Sequence, residues 1–252
     1  GAAGASYTLG SGASQTITVA NNLTIGDDTN SVTVNADTND PTIDVNGNFL
    51  INTSATYQNS ATVAMTVAKN FTQDGTYTHN GGTISLDGST TSDDSTVTCS
   101  GTIGGSIGFS KTGDGDITIG SGCTVASPGS GISMTGNIIN NGTINNGGTT
   151  FNLDNLTGGE GDLINNGGAT ITYSGTAMTI EGDFTQSSTF NLTGITVTLD
   201  GSSSSDNSTV ICGTLGGTLA FNKTGGATVT INTSCTVAVT TISMTGNYIN
   251  NG

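Results

Sequence analysis

The sequence predicts an all-β chain wound as a parallel β-helix, a β-solenoid of about eleven coils of roughly 22 residues, forming a single unit over 1–252. Three observations predict it: a short apolar pattern that recurs along the chain, a longer repeat laid over it, and a composition that disfavours helices.

The short pattern is Ile or Met, a polar residue, an apolar residue, a three-residue polar bend, then an apolar or aromatic residue. It begins at Ile17 (ITVANNLTIG), Ile43, Met65, Ile132, Met178 and Ile242. These starts lie 26, 22, 67, 46 and 64 residues apart, close to one, one, three, two and three multiples of about 22. Residues two apart, such as Ile132 and Met134, share one side, which is the period of a strand. Ile17, Ile43, Met65, Ile132, Met134, Met178, Ile242 and Met244 are therefore expected to stack in the core. Methionine at inward strand positions is read as core filling rather than as a binding stripe.

The long repeat matches FTQDGTYTHNGGTISLDGS from Phe71 with FTQSSTFNLTGITVTLDGS from Phe184, an offset of 113. The segment from Ile107 matches that from Leu219 at 112, and ISMTGNIINNG from Ile132 matches ISMTGNYINNG from Ile242 at 110. The long repeats run approximately over 65–177 and 178–252, the second incomplete, after an N-terminal partial repeat over 1–64. An offset near 110 also suits tandem immunoglobulin-like domains, but the shorter sub-period speaks against them.

Gly, Asn, Ser and Thr make up 143 of the 252 residues. Bends such as Asn80-Gly81, Asn141-Gly142 and Asn166-Gly167 supply positive φ cheaply and interrupt any helical stripe. One such unit cannot bury its apolar face alone, so it must stack on its neighbours. With three Lys, no Arg and a net charge of −15, the chain lacks the cationic surface that nucleic acid needs. No apolar run reaches the length that spans a bilayer, so no membrane insertion is expected in this segment. The start at Gly1, without Met or signal peptide, reads as a mature or excised piece.

Cys99 and Cys123 are 24 apart, and Cys212 and Cys235 are 23 apart, each about one coil. Neighbouring strands lie about 4.8 Å apart, inside the Cα window of a disulfide, so Cys99–Cys123 and Cys212–Cys235 are the expected bridges. A buried ladder of free thiols is the alternative. Bridges, low charge and scarce lysine together point to an extracellular or cell-surface location. Nine sequons, at Asn22, Asn52, Asn70, Asn141, Asn155, Asn191, Asn207, Asn222 and Asn232, are candidate glycosylation positions. Nine is close to the number that this composition gives by chance.

Catalytic chemistry is thinly supplied. There is one His (His79), two Glu (Glu160, Glu181), and Asp residues mostly placed as turn caps, as in Asp93-Asp94 and Asp206. No enzyme activity, cofactor or metal is expected. A zinc site lacks its CxxC spacing. Asp114 and Asp116 offer oxygen ligands for calcium, but the equivalent positions in the second long repeat begin at Gly226-Ala227. Lys111 and Lys223 are equivalent, and each is read as a solvated lysine beside a turn. Thr-x-Thr pairs, the mark of ice-binding solenoids when each coil carries one, begin at Thr16, Thr76, Thr96, Thr170, Thr196 and Thr228. Their gaps do not follow the coil, so no ice-binding face is expected. With no Trp and five scattered Tyr, stacked sugar platforms are also poorly supplied.

FSKTGDGDITIGSG from Phe109 and FNKTGGATVTINTS from Phe221 resemble the β-strand repeat of autotransporter passengers. GDFTQSSTFNLTGITVTLDGS from Gly182 and ISMTGNYINNG from Ile242 resemble repeats of large secreted prokaryotic surface proteins and filamentous-haemagglutinin-like adhesins. The resemblance covers most of 17–252, and the paired cysteines depart from autotransporter passengers. It implies an exported β-helical surface or fibre polypeptide with no catalytic residues. The expected function is a structural extracellular filament or stalk, self-associating end to end or laterally. The alternative is a surface adhesin that binds glycans or neighbouring cells.

Overall fold

The computed structural model describes residues 4–10, 15–154 and 161–252, which form thirty β-strands and no helix among the described residues. All strand pairs among the described residues are parallel, and a turn contributes one strand to each of three faces, except where one long strand serves the second and third faces together. The first face is a single sheet of eleven strands, from Leu23–Ile25 to Tyr248–Asn250. The second starts with Ala5–Thr8 and the third with Thr16–Val19. The eleven strands of the first face, separated by ten steps, make the expected β-solenoid, with about ten turns. The steps are unequal: the turn that sets Leu23 opposite Phe49 is longer than the one that sets Ile231 opposite Asn250. At one strand spacing per step the rod is about 48 Å long.

Strands on the first face are short and alternate inward and outward, because bends at every corner leave room for only two or three inward side chains. Phe49 stacks on Phe71 with ring centroids 5.4 Å apart, and Tyr57 lies over Tyr77 at 6.3 Å. Each fully buried Ile, Val or Phe contributes about 1.5–3 kcal/mol relative to exposure, and one contiguous core runs through the rod.

On the third face Ile17, Ile43, Met65, Ile84 and Ile107 oppose one another turn by turn. Farther along, Ile132 opposes Phe151, and Met178 opposes Val197. Met134 occupies the neighbouring inward column, opposite Leu153. Ile43, Met65, Ile132, Met134 and Met178 are buried, while Ile17, on the first turn of this face, is only half-buried. Ile242 differs from its expectation. A register shift near Leu219 places it opposite Phe221 rather than in the column of Ile132, and Met244 falls opposite Lys223. No strand among the described residues covers that turn, so Ile242 is 55% exposed and Met244 is partly buried.

The corner between the second and third faces disappears at three places. Strand Gly101–Phe109 pairs with Cys123–Ala126 of the second face at its start and with Ile84–Leu86 of the third at its end. Thr214–Lys223 and Thr236–Met244 run on in the same way. Gly-Gly pairs mark the bend in the first two. A Cβ on Gly105 would run into the His79 ring, and one on Gly217 would lie 2.6 Å from the Leu192 and Ile195 carbonyl oxygens.

At the entrance to the first face, side-chain oxygens of Asx residues cap the backbone of the next turn. Asn22 Oδ1 accepts from Asn48 N at 2.9 Å, Asn48 Oδ1 from Asn70 N at 3.2 Å, and Asn70 Oδ1 from Thr96 N at 2.7 Å. The spine continues from Asp94 to Asp116 N, from Asn137 to Asp162 N, from Asp162 to Asp183 N and from Asp183 to Thr209 N. These carboxylates thus hold successive turns together rather than only closing their own bends.

Candidate functional site

Both expected disulfides are present. Cys99–Cys123 spans a Cα distance of 4.9 Å and Cys212–Cys235 one of 4.6 Å, and all four cysteines are buried among adjacent turns. There are no free cysteines among the described residues, which removes the thiol-ladder alternative. The bridges point weakly away from a reducing cytosol.

Each bridge begins at or just past the end of a strand that follows a serine-rich corner loop, 87–94 in the first long repeat and 202–207 in the second. Under each loop lies a lysine from the following turn, and here the sequence reading fails. Lys111 is 1% exposed and Lys223 is fully buried. The loop diverts the chain from the ladder and leaves carbonyl oxygens that the ammonium groups take up. Lys111 Nζ donates to Ala68 O at 2.6 Å and to Asp93 O. Lys223 Nζ donates to Glu181 O, two turns back. A turn-like sequence, Lys-Thr-Gly, concealed this, because the lysine sits before the turn at an inward strand position, Lys223 opposite Gly201.

Burial pushes the Lys111 ammonium down to about 8, against the opposing pull of Asp93 and Asp87, and burial lowers Lys223 as well. Burial also raises the carboxyls of Asp87 and Asp200 above the usual range. Asp44 adds to this at Asp87, while Lys223 opposes it at Asp200. Above each lysine opens a polar cavity. One of about 390 Å³ is lined by Asp87, Ser89, Asp93, Ser110 and Thr112, and one of about 310 Å³ by Asp154, Glu181, Asp200, Ser202 and Asn222. No group of three or more His, Cys, Asp or Glu side chains among the described residues is arranged to hold a metal.

Asp114 has φ +60° and Gly226, its equivalent, has φ +88°. The Asp-Gly-Asp to Gly-Ala-Thr difference between the repeats thus begins on a left-handed backbone position, which both sequences satisfy. Asp114 is buried, and Asp116 serves the Asx spine.

The outward row of the second face escaped the sequence reading. Hydroxyl residues recur there turn by turn: Ser6, Thr33, Thr56 and Thr76 in one hydrogen-bonded run, Thr102, Thr124, Thr143 and Thr170 in another, and Thr214 with Thr236. Their intervals in sequence are uneven because the turns are. Searching for Thr-x-Thr pairs at a constant spacing missed the row, since it is one threonine wide and the corners vary in length.

The sequons occupy varied positions. Asn52 is buried and its amide donates to Gly26 O at 2.8 Å. Asn141 accepts from Asn166 at 2.7 Å. Asn22, Asn70 and Asn207 are exposed members of the Asx spine. Asn191 and Asn222 are exposed, Asn232 is half-buried, and Asn155, like Glu160, lies outside the described residues. Comparison with family models, with curated proteins and with solved structures finds no match to this chain.

Proposed function

We propose that this chain is a structural rod, the stalk or filament-forming repeat region of an extracellular surface protein. The observation that carries the reading is one core and one sheet continuous through every turn of the first face, cross-tied by Asx caps, lysine tethers and disulfides. Such stacking transmits force along the axis and leaves few accessible strand edges for proteases. The resemblance to secreted surface-protein repeats agrees with it.

Association between copies is part of the proposal, and the exposed Tyr7, Ile242, Tyr248 and Ile249 offer apolar surface for it. Electron microscopy and light scattering over a concentration series test the reading. Rods that lengthen with concentration are the expected result, and a discrete, non-associating monomer of 24.8 kDa counts against it. An adhesin is the second reading, favoured by the recurrence of a polar cavity at the same corner of both long repeats. Saturable, sugar-competed binding on a glycan array would favour it over a bare stalk.

A further inference from the structure

We propose that the second face is an ice-binding surface, on which the threonine row holds the outermost layer of a water lattice. The inference stands apart from the rod reading, since a short, non-associating protein would pass this test and a rod with a different outer face would fail it.

Three observations fix the chemistry of the partner. First, the row carries no charge in a chain with a net charge of −15, and the neighbouring outward row, represented by Gln58, Thr78, Ala126, Asn145 and Thr172, carries none either. An ionic partner therefore has nothing to bind there. Second, the hydroxyls of Thr33, Thr56, Thr102, Thr124 and Thr143 make no hydrogen bond to the protein among the described residues. The third face is mixed. There Thr83 pairs with Ser106 at 3.1 Å, Ser85 with Ser110 at 2.8 Å, Thr196 with Thr218 at 3.1 Å, and Thr66 donates to Asp44 at 2.9 Å, while Thr179 and Thr198 make no such bond among the described residues. On the second face Thr102, Thr124 and Thr143 follow one another with none paired among the described residues.

Third, the row is periodic. Its rungs sit at the strand spacing of about 4.8 Å, and β-branching confines threonine to few χ1 rotamers, so hydroxyl and methyl groups point alike from rung to rung. A partner that gains from every rung must itself repeat at that interval and offer both donors and acceptors without charge. A globular protein surface has no such period. A sugar chain prefers aromatic platforms, which this row lacks. Ordered water supplies donor and acceptor at each site, and the methyl groups between the hydroxyls limit competing liquid-like hydration.

The test is inhibition of ice recrystallisation and thermal hysteresis, together with partition into a slowly growing ice front. The intact protein is expected to be active in all three. Thr124→Tyr, which breaks the row in mid-run, is expected to lower activity at least fivefold. Thr124→Val keeps shape and β propensity while removing the hydroxyl, and separates loss of binding from loss of fold. Thr196→Tyr on the third face is expected to leave activity unchanged, with circular dichroism confirming the sheet in all variants. Inactivity of the intact folded protein overturns the proposal. So does equal loss from Thr124→Tyr and Thr196→Tyr, or retention on crystalline cellulose in place of ice.

Discussion

The corners around Lys111 and Lys223 stand at equivalent places in the two long repeats, and they keep the same backbone device with different side chains around it. In both, a corner loop closes on an aspartate: Asp93 accepts from Ser89 N and Thr90 N, and Asp206 accepts from Ser203 N at 2.7 Å. In both, an ammonium under the loop donates to a carbonyl two turns back, Ala68 O in one and Glu181 O in the other. The residue supplying that carbonyl changes from alanine to glutamate, and the left-handed residue changes from Asp114 to Gly226. What recurs is the satisfaction of backbone groups that the loop removes from the ladder. The side chains lining the cavity are free to differ.

The largest effect is expected from emptying these corners. Lys223→Ala removes one of the two side-chain donors to Glu181 O, keeping Ser208 Oγ at 3.2 Å, and leaves a void where the stem packed, at a cost of about 4 kcal/mol. Lys223→Met restores the packing and is expected to recover roughly half of that. Chemical denaturation of both variants, repeated for Lys111, tests whether the two corners are equivalent; a loss at only one would break the comparison. Replacing Cys212 and Cys235 together with Ser is expected to cost about 3 kcal/mol from the unfolded chain's regained freedom, and the Cys99–Cys123 pair about the same. Hydrogen exchange would show the loss confined to turns near the missing bridge, as stacked repeats predict.

The pH response sharpens the comparison further. Lys111 is lowered to about 8 in the fold, below the ordinary lysine value of about 10.4. Between these values the unfolded chain binds more protons, so stability is expected to rise with pH across that window. Buried Tyr57 and Tyr77 are pushed up by burial, so their cost to stability begins only where unfolded tyrosine ionises, above about pH 10. Thermal melts from about pH 7.5 to about pH 10 should show the rise in the wild type and a flatter profile in Lys111→Met. An unchanged slope in that variant would assign the rise elsewhere. The smallest effect concerns the left-handed position. Asp114→Gly should stabilise by up to about 1 kcal/mol, and Gly226→Ala should destabilise by about 1 kcal/mol, since its added Cβ meets nothing within 4 Å and only φ is strained.

Much of the fold was legible because a solenoid states its geometry many times over. Alternation at Ile132 and Met134 gave the inward face, and the one-coil cysteine spacings gave both bridges. The misreadings occur where a local signal is overridden by what stacks above it. Lys-Thr-Gly looks like an exposed turn, and nothing local shows that a serine-rich loop from the previous turn folds over the lysine. ISM at Ile242 copies ISM at Ile132, yet a register slip against Leu219 and the lack of a covering strand leave it in a different column and exposed. The threonine row was hidden by unequal turn lengths, which scatter residues in sequence that the fold aligns in space.

Over 87–94 and 202–207 the extra residues of two longer turns leave and rejoin the third-to-first corner without disturbing the strands on either side. The turn from Phe71 to Val97 is longer than the turn from Phe49 to Phe71, yet both pairs are in register. That corner is therefore a natural graft point. A foreign peptide spliced among Ser202–Ser205 would project sideways from an intact shaft, and one placed between Ser89 and Ser92 would repeat it some five levels below, giving a ruler for presenting cargo at fixed separations.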